Sequence, residues 1–128
     1  DGDDKLWMVS QYRIAVDKVM LEIPAGLVDP NEAPIESAKR ELQEEVGFFP
    51  EQIDFLFTMH SSPGFTNDKL LFFEAKDLTE SKLELDEDEN LEAKSYPIDE
   101  LYNMVENGEI TDAKTIIAIQ YAMMNKNN

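Results

Sequence analysis

The sequence predicts an α/β protein in which a mixed sheet is sandwiched between helices, with elements in the order β-β-α-β-β-β-α-α. Three observations carry this. Short apolar, β-prone runs recur along the chain and are separated by turn residues. Between the second and third runs, and again near the C-terminal end, apolar residues recur at helical spacing. Finally, 128 residues without a cysteine suffice for one domain with its own core, and exclude a disulfide framework, a thiolate metal site and a cysteine nucleophile.

The chain begins with Asp1 and not with Met, which reads as a processed or expression-derived start. Leu6-Trp7-Met8-Val9 is a short buried strand running into Ser10-Gln11-Tyr12-Arg13. Val19 to Ile23 is the second strand, stopped by Pro24, which has no N–H for a ladder. Val28-Asp29-Pro30-Asn31 is a turn by its proline and Asx residues. Pro34 opens the first helix, and Gly47 closes it in a left-handed cap that glycine adopts without strain. Its core stripe is Ile35, Ala38, Leu42 and Val46, after which Phe48 and Phe49 return to the core. Ile53–Met59 and Lys69–Ala75 are the third and fourth strands, and Glu92–Tyr96 the fifth. Pro97 starts a helix through Val105 that Gly108 ends. Thr111 to Met124 is the last helix, capped by Thr111 or Asp112, with Ile116, Ile117, Ile119, Ala122 and Met123 for the core. There are no repeats and no linker.

Charge excludes whole classes of partner. A net charge of −17 speaks against a general grip on nucleic acid or on an anionic membrane. No run approaches the roughly 20 apolar residues that span a bilayer, and no basic, apolar leader is present, so a cytoplasmic protein is expected. Only two arginines occur, Arg13 and Arg40. An acidic chain that binds an anionic phosphate compound must recruit cations to bridge the two.

Clustered carboxylates in the first helix would hold such cations. At about 100° per residue, Glu41, Glu44 and Glu45 fall within roughly a 100° arc beside the apolar stripe. Like charges at i,i+4 cost roughly 0.2–0.5 kcal/mol each when solvated and more at the edge of a buried face. Arg40, i+4 from Glu36 and i−4 from Glu44, offsets part of this but points away from Glu41. A divalent ion held by hard oxygens, Mg²⁺ or Mn²⁺, would offset the rest. The other reading of these residues is a solvated acidic face on an amphipathic helix.

The whole stretch from Gly26 to Phe48 decides between them. It follows G-x5-E-x7-R-E-L-x-E-E-x-G-F, with Gly26, Glu32, Arg40, Glu41, Leu42, Glu44, Glu45, Gly47 and Phe48 at the specified places. This resembles the box of the Nudix hydrolase family, complete and without departure. The resemblance implies a Nudix-type α/β/α sandwich in which helix glutamates bind Mg²⁺ and the substrate is a nucleoside diphosphate linked to another group.

Further segments resemble the ADP-ribose pyrophosphatase branch. Gln11-Tyr12-Arg13 is similar to a Q-Y-R whose arginine contacts substrate phosphates, making Arg13 a phosphate clamp, with an ordinary salt bridge as the alternative. Glu22-Ile23-Pro24-Ala25-Gly26 resembles that branch's E-x-P-A-G. This implies that the Ala25 carbonyl serves a metal and that Glu22 lies near the site; the plain alternative for Glu22 is the exposed side of a strand. Glu32 is implied to be structural. Ser62-Pro63-Gly64-Phe65-Thr66 looks like the branch's substrate-binding loop, with Pro63 fifteen positions after Phe48. That motif narrows the substrate towards an ADP-sugar. His60, the only histidine, fits a loop or strand-end role rather than catalysis.

The run Asp86 to Glu92 begins like a calcium-binding EF-hand loop, but Leu91 stands where its glycine must turn and Pro97 where its bidentate glutamate belongs. The resemblance implies instead a loop that brings Glu87 or Glu89 to the site as base for the attacking water. Enzymes of this branch carry further residues before the first strand that build a homodimer and contact adenine, and almost none precede Leu6 here.

The function so implied is Mg²⁺-dependent hydrolysis of ADP-ribose or a related ADP-sugar to AMP and a sugar phosphate. Glu41, Glu44 and Glu45 would hold metal with Ala25, and Arg40 would organise them. Arg13, Glu22, Pro63, Gly64 and Phe65 would bind substrate. The rivals are NADH, GDP-mannose or a diadenosine polyphosphate as substrate, and a non-catalytic nucleotide sensor.

Overall fold

A computed structural model of the chain describes residues 5–65, 69–80 and 92–126. The elements are β1 (Lys5–Arg13), β2 (Lys18–Glu22), α1 (Pro34–Val46), β3 (Phe48–His60), β4 (Lys69–Glu80), β5 (Glu92–Pro97), α2 (Ile98–Glu106) and α3 (Ala113–Met124), in the order expected from sequence.

The strands depart from the single mixed sheet expected. Among the described residues every pairing is antiparallel: one sheet has the order β2-β1-β5, and β3 and β4 form the other. For β1 and β2 the physical reason is connection length. A tight turn joins β1 to β2, and antiparallel neighbours need no more than that, whereas a parallel pair needs a long crossover. The β3–β4 hairpin starts earlier and runs longer than its apolar centre suggested, from Phe48 paired with Glu80 to His60 paired with Lys69. A bulge lies between Phe55 and Phe57.

β1 is the central strand, and its alternation sorts the layers. Leu6 and Met8 face Leu101 of α2, Ile110 between α2 and α3, and Ile119 of α3, which close the main core with Leu21 and Tyr96. Trp7 takes the opposite face, its ring 4.9 Å from that of Phe48. α1 lies against β3 and, more lightly, β1. Phe57 joins the hairpin to α3 through Tyr121, ring centroids 5.3 Å apart. Ile119 is fully buried as expected, while Phe49, expected in the core, is exposed, because β3 carries it outward beside the buried Pro50.

Gly47 ends α1 at φ 86°, ψ 20°, its N–H shared between the carbonyls of Leu42 and Gln43, as the sequence predicts. Asp112 caps α3. No helix among the described residues is long and apolar enough to cross a membrane.

Candidate active site

α1 does not bury only its apolar stripe. Val46 is buried, Ile35, Ala38 and Leu42 are half-buried, and the polar residues Ser37 and Glu45 are buried as well. The cause is the loop after β2, which lies antiparallel along residues four apart on the helix. Ala25 N–H points to Glu45 Oε1 at 3.4 Å; Gly26 lies against the Glu41 carboxylate; the Leu27 carbonyl accepts from Ser37 Oγ at 3.2 Å. A Cβ on Gly26 would run into the Glu41 carboxyl group. The glycine is thus required by a close approach rather than by a left-handed backbone.

Arg40 organises the outer side of this stripe. Its Nε is 3.0 Å from Glu32 Oε2, its Nη1 is 2.9 Å from Glu41 Oε1 and 3.1 Å from Glu44 Oε2, and its Nη2 donates to the Leu27 carbonyl at 3.2 Å. The pair with Glu41 corrects the sequence expectation that Arg40 points away from it, and Glu36, expected beside Arg40, meets Lys39 instead. The planar guanidinium can fork between neighbours that helical spacing alone keeps apart. The hydrogen bond that Arg40 donates to Glu32, followed by the charge of Glu41 and the hydrogen bond to Glu44, raises the Arg40 pKa above its ordinary value. In return the Arg40 hydrogen bond holds Glu32 below the usual carboxylate range.

A second charged group sits at the end of β2. Glu22 is 2% exposed, which overturns the reading of it as the outward side of a strand. Arg13 meets it with two hydrogen bonds of 2.7 Å, and Lys114 Nζ approaches the same carboxylate at 2.8 Å. Lys114 also pairs with Asp112 at 2.8 Å. The Thr115 hydroxyl donates to Asp112 at 2.6 Å and accepts from the Ile23 N–H at 3.0 Å. Burial alone would push the Glu22 pKa up, but the hydrogen bonds from Arg13 and Lys114 outweigh it and hold the group below its ordinary value. Arg13 is raised, chiefly by its hydrogen bond to Glu22.

The structure therefore brings Glu41 and Glu44 together at Arg40, places Glu45 against Ala25, and joins Arg13 to Glu22. Among the described residues no ion pair or hydrogen bond links Pro63, Gly64 or Phe65 to the α1 carboxylates. That loop turns on a Phe65 N–H to Ser62 carbonyl bond of 3.0 Å, with Phe65 fully presented to solvent. His60 ends β3, exposed, as expected. Glu87 and Glu89 lie outside the described residues. Lys114 and Thr115 escaped the sequence reading because their partners, Glu22 and Ile23 respectively, lie 92 positions away, and no local signal marks such pairs.

Among the described residues no three Asp, Glu or His side chains converge into a ready metal cluster. The donor chemistry nonetheless fits a hard divalent ion. Glu41, Glu44 and Glu45 supply carboxylate oxygens from one stretch of α1, and the Gly26 backbone leaves Glu41 room that any side chain would fill.

Comparison with known proteins agrees with this geometry. The NUDIX domain model matches residues 1–118. Over 96% of its length the chain is 38% identical to a methanol dehydrogenase activator of Bacillus methanolicus, covering 68% of that protein. It is 37% identical over 95% of its length to an ADP-ribose pyrophosphatase of Bacillus subtilis (strain 168), covering 67% of it. A solved structure titled as an ADP compounds hydrolase superposes over 96% of the chain and 66% of that protein with a TM-score of 0.84 at 30% identity. The chain thus spans about two thirds of the length of these relatives. With an uninterrupted box, a loop that seats its glutamates along α1 and a family model covering nearly all of the chain, this protein belongs to the Nudix hydrolase family.

Proposed function

We propose that the chain hydrolyses the diphosphate of ADP-ribose or a related ADP-sugar, yielding AMP and a sugar phosphate, with Mg²⁺ as cofactor and Mn²⁺ as a substitute. The observation that carries this is the seating of Ala25, Gly26 and Leu27 along Glu45, Glu41 and Ser37, which fixes two of the box glutamates against one segment of backbone. A relative named ADP-ribose pyrophosphatase supports the substrate class.

In this reading Glu41, Glu44 and Glu45 hold the metal with the Ala25 carbonyl. A divalent ion so bound neutralises diphosphate charge and acidifies a water. Arg40 holds Glu41 and Glu44 in place and shares their charge. Arg13 binds the phosphates, which its half-exposed guanidinium can reach. Glu22 holds Arg13 until a phosphate takes the guanidinium, and Pro63, Gly64 and Phe65 bind substrate. Glu87 or Glu89 takes the proton of the attacking water. The water oxygen bonds to one phosphorus as the bond from that phosphorus to the bridging oxygen breaks, and the other half leaves as a phosphate monoester. The chain works as one Nudix domain over residues 1–128, in the cytoplasm.

A relative named as a dehydrogenase activator favours a second reading, in which the domain binds a nucleotide to regulate rather than to cleave it. Incubation with ADP-ribose, with and without Mg²⁺, separates the two. Equal yields of AMP and ribose 5-phosphate only with Mg²⁺ support hydrolysis, whereas binding without turnover in saturating Mg²⁺ supports the regulatory reading. A panel of NADH, GDP-mannose and diadenosine polyphosphate shows whether another diphosphate is preferred.

A further inference from the structure

Glu22 has two cationic partners of unequal exposure. The side chain of Arg13 is 42% exposed, those of Lys114 and Glu22 are 16% and 3% exposed, so Arg13 is the partner free to turn outward and Lys114 is the one fixed beneath it. Lys114 is held by Asp112, which also takes the Thr115 hydroxyl, and Thr115 anchors the Ile23 N–H. The first turn of α3 is thereby tied to the end of β2, two residues before the loop that seats the box glutamates. The same turn walls a cavity with Met59, His60, Ser61 and Leu70, where β3 runs into the Pro63–Phe65 segment. A buried carboxylate stripped of its only cation is severely destabilised, whereas one that keeps a second is not.

We infer that Lys114 is a positioning residue for substrate binding: as the resident counter-ion of Glu22, it lets Arg13 leave that carboxylate for a substrate phosphate. This rests on the reading of Arg13 as the phosphate clamp. Asp112 and Thr115 fix where Lys114 stands. The residue itself touches no substrate; its effect reaches the substrate through the balance at Glu22. Without Lys114, Arg13 must stay to compensate Glu22, and phosphate has to compete with a buried anion for the same guanidinium.

Steady-state kinetics on the full chain tests this with Arg13→Met, Lys114→Met, Glu22→Gln and the pair Lys114→Met/Glu22→Gln, using ADP-ribose, or the panel substrate that turns over best. Lys114→Met is expected to raise KM by about tenfold while kcat stays within about threefold. The pair is expected to have a KM within about threefold of Glu22→Gln alone, because removing the charge on residue 22 removes the need for its counter-ion. Lys114→Arg should stay near wild type. Should Lys114→Met fold poorly by circular dichroism, Asp112→Asn, which loosens Lys114 without removing it, should raise KM in the same direction. An unchanged KM in Lys114→Met, or in Asp112→Asn if that variant has to stand in, overturns the inference, as does a pair no better than Lys114→Met. If Arg13→Met also leaves KM unchanged, the clamp reading itself has failed; if Arg13→Met raises KM and Lys114→Met does not, only the role of Lys114 has.

Discussion

The carboxylate of Glu41 occupies the space that a side chain on Gly26 would need. One is in a loop and the other in mid-helix, yet the position of the glutamate depends on the absence of a Cβ fifteen residues earlier in the chain. Gly26 is not in a left-handed conformation, since the positive-φ glycines among the described residues are Gly47 and Gly108. Gly26→Ala should therefore change stability by no more than about 1 kcal/mol, because the far end of Glu41 can swing away. The same swing should lower kcat/KM by at least about tenfold, as a misplaced group does. Paired urea unfolding and turnover assays check both halves.

Glu45 is 6% exposed and accepts from the Ala25 N–H. Glu45→Gln keeps the shape and an acceptor for that N–H but removes the negative charge. We expect kcat to fall by at least about 10²-fold, the range for charge-stabilising and acid–base groups, with the circular dichroism spectrum unchanged. A rate near wild type would remove Glu45 from the metal site.

Arg40 reaches Glu32, Glu41, Glu44 and a backbone carbonyl at once. A lysine offers one compact charge on a flexible stem and cannot span them. Arg40→Lys should lower stability by about 1–3 kcal/mol, as breaking a part-buried network does, and lower kcat with it. Thermal melts and initial rates on the same preparation measure the two effects.

The depressed pKa of Glu22 makes a prediction with a definite sign. Its folded value lies below the unfolded value of 4.5, so the unfolded chain binds that proton more readily. The stabilisation is complete above pH 4.5 and is lost as pH falls through the lower folded value. Urea midpoints of the wild type and Glu22→Gln should therefore differ at pH 7 and converge as pH drops below 4.5. A constant difference between pH 6 and the acid limit of folding, about pH 3, would contradict it.

Gly47, at φ 86°, is the contrasting glycine. Gly47→Ala should destabilise by about 1 kcal/mol through backbone strain, lowering Tm by about 2–6 °C in calorimetry.

Most of the local structure was legible in the residues. Gly47 closes α1 because a left-handed cap is a property of one residue, and Pro34, Pro97 and Gly108 punctuate helices for equally local reasons. Spacing alone also put Glu41, Glu44 and Glu45 on one stretch of α1, since helical geometry repeats regardless of surroundings. The sheet arrangement was less legible: alternating apolar runs mark strands but not their partners, so one mixed sheet was expected where the described strands pair as two antiparallel ones.

What tertiary structure alone decided is which charges meet. Arg40 turned to Glu41 because the Leu27 carbonyl and Glu32 draw its guanidinium over the helix, and Glu22 became buried because α3 lays Lys114 and Thr115 across the end of β2. Helix and strand periods follow from backbone geometry within a few residues. Electrostatic pairing over 92 positions follows from packing, which depends on the whole chain at once.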